Sequence, residues 1–181
     1  MNTILRALLC FLFPLTVCAE PDILDRSNLA AWCIVPFDAK KRTPAQRAEM
    51  VAKLGLKKVA YDWREQHVAE FEEEILQYQK HGIEFFAFWG THDKAFALFE
   101  KYKLHPQVWL MASNPDAATQ EEKVKRAAQA LLPVVEQTRK LGCQLAIYNH
   151  GGWNGEPENM VAIAQYLRTH QIGRASCRER V

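Results

Sequence analysis

Five short clusters along the chain are rich in acids, amides and histidines, and four of them also carry aromatic residues: Phe37-Asp38, Tyr61-Asp62-Trp63, Trp89-Gly90-Thr91-His92, Ser113-Asn114 and Tyr148-Asn149-His150-Gly151-Gly152-Trp153. Indole faces stack on the apolar faces of sugar rings, while short acids, amides and imidazoles hydrogen-bond hydroxyls, so together the clusters have the make-up of a carbohydrate site. The substrate-binding set expected from them is Asp62, Trp63, Trp89, His92, Asn114, Asn149, His150 and Trp153. Taken singly, each tryptophan is equally well explained by core packing, and Asp62 by capping of the helix after it; the combination is what points to binding. Paired carboxylates for acid-base work are missing from the clusters, so no residue is assigned a catalytic role. Cys33 and Cys143 belong to no CxxC and stand near no His at ligand spacing, which leaves zinc without support and makes buried free thiols the expectation.

For the clusters to meet, the chain must bring them to one rim. Short apolar runs rich in aromatic and β-branched residues alternate with stretches of helical period, the pattern of βα units on a parallel sheet. The expected strands are Leu29 to Phe37, Lys58 to Trp63, Glu84 to Trp89, Gln107 to Ala112 and Gln144 to Asn149, and each cluster falls at a carboxyl end. Thr43-Pro44-Ala45-Gln46 is a capping box that opens the first helix, which Gly55 closes. Phe71, Ile75 and Tyr78 form the apolar face of a second helix ending at Gly82, and a third runs near Asp93 to Tyr102. Thr119 caps the fourth, in which Pro133 is expected to introduce a kink before Gly142, and a fifth starts around Glu156-Pro157.

Lys53-Leu54-Gly55, Lys80-His81-Gly82 and Lys140-Leu141-Gly142 each stand just before a strand, at offsets of 27 and then 60 residues, so one module repeats. A doubly wound dinucleotide binder needs a glycine-rich turn after its first strand, and Pro36-Phe37-Asp38-Ala39 contains no glycine. The expected fold is therefore α/β, a partial (β/α)8 TIM barrel of about five parallel βα units; a complete barrel takes about 250 residues.

The segment Leu145-Ala146-Ile147-Tyr148-Asn149-His150-Gly151-Gly152 resembles the fifth-strand motif of the xylose-isomerase-like barrel superfamily, which includes sugar isomerases, epimerases and endonuclease-IV-like enzymes. The likeness runs from Asn28 to Gln171 and includes His92 after the third strand. It implies proton transfer beside a carbonyl, in a site that in most members holds a divalent metal. Tyr148 stands where metal-dependent members carry a glutamate ligand, so no metal ligand is carried over to this chain.

The ends are read apart from this body. Met1 to Arg6 followed by the apolar Ala7 to Val17, with Val17-Cys18-Ala19 before Glu20, reads as a signal peptide over 1–19; the run is too short to span a membrane, so a periplasmic or secreted protein with no stable membrane insertion is expected. Residues 172–181, IGRASCRERV, break the periodicity and read as a non-native adaptor-derived tail, leaving 20–171 as the N-terminal part of a barrel domain, expected to be inactive alone. Over 20–171, 19 Lys and Arg face 20 Asp and Glu, which leaves no basic stripe for nucleic acid. The expected function is an exported sugar isomerase or epimerase acting on a free sugar or sugar derivative; the alternatives are a non-catalytic carbohydrate-binding barrel and a glycoside hydrolase, the last needing two carboxylates about 5 to 9.5 Å apart.

Overall fold

In the computed structural model residues 23–171 are described; the expected signal segment over 1–19 and tail over 172–181 lie outside them. The helix signals act where the sequence places them. Thr43 Oγ1 accepts from the Gln46 backbone N–H while Gln46 Oε1 accepts from the Thr43 N–H at 3.0 Å, which starts α1 at Pro44–Lys53. α2 spans Phe71–Lys80, α3 Asp93–Tyr102, α4 Gln120–Lys140 and α5 Pro157–Gln171. Pro133 lies within α4, which continues unbroken through it. After α4 the chain turns into the next strand at Gly142, whose φ is +69° and whose missing Cβ leaves room for the His105 ring.

The strands are β1 Ala30–Trp32, β2 Lys58–Tyr61, β3 Glu84–Trp89, β4 Gln107–Leu110 and β5 Gln144–Ile147. They pair only with sequence neighbours, in the order β1-β2-β3-β4-β5, and every pairing is parallel. A doubly wound sheet reverses its strand order partway; this one does not. Right-handed crossovers in unreversed order place the helices on one face, where Val59, Tyr61, Phe85, Phe88 and Val108 are buried against α1, α2 and α3. A second cluster, with Val124, Ala128, Leu131, Ile163 and Leu167, seats α4 against α5.

Two features shape the opposite, concave face. The first is a bulge in β3: Val59 pairs with Phe85 but Ala60 with Ala87, so Phe86 is an extra residue. One inserted residue reverses side-chain parity beyond it. Phe85 and Phe88 accordingly both pack on Phe99 of α3, at 5.8 and 5.3 Å, while Phe86 and Trp89 both meet Trp109, at 6.3 Å each.

The second is curl. β1 and β5 are four ladder spacings apart, about 19 Å in a flat sheet. Yet Trp32 at the end of β1 lies 6.4 Å from Tyr148, the residue after β5, centroid to centroid. Only strong curvature brings them together. In an eight-stranded barrel the first and fifth strands face each other and inward side chains fill the space between, so the five units have the curvature of a (β/α)8 barrel.

The loops at the carboxyl ends are tied down from the helix side. Arg47 of α1 is 3% exposed; its Nε donates to Glu74, its Nη2 to Glu70 at 2.7 Å and its Nη1 to the Arg42 carbonyl, joining the β1–α1 loop to the β2–α2 connection. Removing one partner of a buried pair strands the other charge. Arg47→Met is expected to lower unfolding stability by about 3–5 kcal/mol in urea titration, and the double variant Arg47→Met/Glu74→Leu to recover much of that loss.

Candidate functional site

At the carboxyl ends of the strands the concave face opens into a cavity of about 520 Å³. β1 and the loop after it supply Trp32, Cys33 and Phe37; β2 leads into Asp62, Trp63 and Arg64; β3 ends on Trp89; Met111 follows β4; and Tyr148 and His150 follow β5. Five different strands thus contribute to one concavity, which is where parallel α/β folds place ligands.

One side is an aromatic wall. Trp32 and Trp89 stack at 5.4 Å with their planes 21° apart, Tyr148 meets Trp89 at 4.3 Å, and Trp109 lies parallel to Tyr148 at 6.3 Å. Trp63 Nε1 donates to the Trp89 carbonyl at 2.7 Å, which joins the β2 and β3 ends. Trp32 remains 47% exposed, so a large apolar face looks into the open cavity.

The other side is polar. Asp62 is only 6% exposed. Its Oδ1 accepts from Arg64 Nη1 at 2.6 Å and its Oδ2 from the Cys33 thiol at 3.6 Å. Cys33 adopts a left-handed φ of 56°, a conformation that costs a non-glycine residue strain and here ends β1 beside Asp62. Burial, and then the neighbouring Asp62 carboxylate, push the Cys33 thiol above its ordinary range. Burial raises Tyr148 as well, with the negative field of Asp62 adding to it, so both groups stay protonated at neutral pH. Tyr148 Oη is 3.3 Å from His150 Nδ1.

Of the eight residues expected from the sequence, the cavity brings together Asp62, Trp63, Trp89 and His150. The other four lie elsewhere, three of them held by local contacts. His92 is the N-cap of α3, its Nδ1 accepting from the Lys94 N–H at 3.1 Å, with its ring edge-on to Trp63. Asn114 is exposed in the β4–α4 loop. Asn149 turns back to accept from the Gly151 N–H at 2.8 Å, packed against Gly155, where any Cβ would collide with it. Trp153 donates to Gln120 Oε1 at 2.9 Å and lies beneath Lys123, 4.7 Å away, on the α4–α5 side.

Trp32, Cys33, Phe37, Arg64, Met111 and Tyr148 line the cavity without having been singled out as binding residues. Phe37 and Tyr148 stand inside the clusters, and Arg64 follows Tyr61-Asp62-Trp63 directly, so proximity was the available signal. Trp32 and Cys33 carried none, because the apolar run through Phe37 reads as one strand whereas the ladder stops at Trp32.

The residues present do not fit a divalent metal. Among the described residues no three His, Cys, Asp or Glu side chains gather to hold one, and Asp62 already faces a guanidinium. Nor does any helix among the described residues have the length and apolarity to cross a membrane. Comparison with protein-family models and with curated proteins finds no match for this chain.

The Cys33–Asp62 contact yields a direct test. Because the thiolate is the reactive form, Cys33 should react with a neutral thiol reagent more slowly at about pH 8 than an unperturbed cysteine, and Asp62→Asn should speed it. Rates unchanged by the substitution would show that the carboxylate does not act on the thiol.

Proposed function

We propose that the cavity binds a free sugar or sugar derivative and that these five units belong to an exported isomerase- or epimerase-like barrel. The observation that carries the reading is the open wall of Trp32, Trp89 and Tyr148 facing a buried carboxylate at one rim. A pyranose or furanose ring presents an apolar face to such a wall while its hydroxyls reach outward. Asp62 Oδ2, held only by a long thiol contact, can accept from a sugar hydroxyl in place of Cys33; Tyr148 Oη and His150 provide a donor and acceptor a short way along the rim. The resemblance of Leu145 to Gly152 to the isomerase-like barrels agrees with this use of the site.

Proton transfer beside a carbonyl needs an acid and a base. Asp62 is the one carboxylate lining the cavity among the described residues, and it is paired with Arg64. That pairing favours a second reading, binding without turnover, in which Asp62 only orients hydroxyls. The two readings separate in deuterated water: an isomerase or epimerase exchanges the sugar proton beside the carbonyl, and a binder does not.

Binding itself is tested by calorimetry with a panel of monosaccharides. Trp89→Ala should weaken the tightest of them at least about tenfold, or about 1.4 kcal/mol. Saturable binding that survives loss of both Trp32 and Trp89 would remove the wall from the site.

A further inference from the structure

We infer that the sugar taken by this cavity carries a carboxylate, and that the unfilled edge of the Arg64 guanidinium receives it; the inference rests on the sugar reading above. Arg64 Nη1 alone is engaged, donating to Asp62 Oδ1 at 2.6 Å and to the Trp63 carbonyl at 2.7 Å. Its Nε and Nη2, the edge that pairs side by side with a planar carboxylate, have no partner among the described residues. Arg47 shows in the same chain what that edge does when it is filled: Nη1 goes to a backbone carbonyl while Nε and Nη2 take the carboxylates of Glu74 and Glu70. Arg64 differs in that its Nη1 takes both the carbonyl and its one acid, so the edge that Arg47 fills with carboxylates is left open to a ligand.

The surroundings fit this use. The Phe37 ring lies 5.6 Å from the Arg64 guanidinium carbon, covering one face with an apolar surface, and the side chain is otherwise 48% exposed. Charge selects the kind of anion. Among the described residues Arg64 is the one Lys or Arg that lines the cavity, and Asp62 stands on its far side. A monoanionic carboxylate leaves one guanidinium between two acids, as around Arg47, whereas a phosphate dianion would add a second negative charge against the same single cation. Sugar acids such as uronates and aldonates are therefore the favoured class over phosphosugars.

The test is titration of the full chain, followed by tryptophan fluorescence, with uronates, the parent neutral hexoses and their 6-phosphates in the gluco and galacto series. The expected result is uronate affinity at least about tenfold above the neutral parent and above the phosphate, with the preference shrinking as salt is added. In Arg64→Gln the ratio of uronate to neutral affinity should fall to about one, and Arg64→Lys, which keeps the charge but not the fork, should restore part of it. A variant that has lost its folded circular dichroism is replaced in the comparison by Arg64→Lys against the parent protein, where a lowered ratio supports the inference and an unchanged one overturns it. Equal affinity for uronate and neutral sugar, or a preference for the phosphate, overturns the carboxylate assignment and leaves the sugar reading standing. No binding by any of the three classes overturns the sugar reading itself.

Discussion

The contact of Trp32 with Trp89 and Tyr148 across the concave face is the constraint on which the rest of the site depends. Rings at the ends of the first and third strands and just past the fifth can meet only if the sheet curls and if each ring sits on its inner side. The curl follows from the accumulated twist of parallel strands with helices packed along one face. The inner placement of Trp89 follows from a single extra residue, Phe86, which lets β3 keep Phe85 and Phe88 in the helix-side core and still turn Trp89 inward. Without that insertion Trp89 would share the parity of Phe85, and the wall would lose its middle ring.

Polar chemistry at the rim is organised against that wall by short-range geometry. Asp62 lies one residue beyond β2, Cys33 one residue beyond β1, and the left-handed turn at Cys33 brings the two together. Arg64 holds the carboxylate from the other side, and Arg47 braces the two loops from beneath. The left-handed backbone at Cys33 is a cost that plain packing does not explain, and it falls in the cavity lining, where local sacrifices of stability accompany function.

Much of the architecture was legible in the sequence, and the reason is local. Caps such as Thr43 with Gln46, apolar faces such as Phe71, Ile75 and Tyr78, and the Lys-X-Gly phrases before strands are short-range signals, and the helices and strands stand at those places. Strand ends were less legible, since continuous apolarity does not mark where a ladder stops: the run to Phe37 reads as one strand but pairs only as far as Trp32. The bulge at Phe86 left no signal, because EFFAFW reads the same with or without it. At the site, position along the chain told which residues reach the rim, but not which way they turn there. His92 and Asn149 have the right chemistry in the right loops, and both are turned aside by hydrogen bonds to backbone N–H groups two residues on.

The ring contact across the sheet is also the most direct point of test. In a nuclear Overhauser spectrum of the folded chain, Trp32 ring protons should show cross-peaks to the rings of both Trp89 and Tyr148, with centroids at 5.4 and 6.4 Å. Cross-peaks from Trp32 confined to residues of β1 and β2, with none to Tyr148, would mean an open sheet with no shared wall, and would contradict the account at its base.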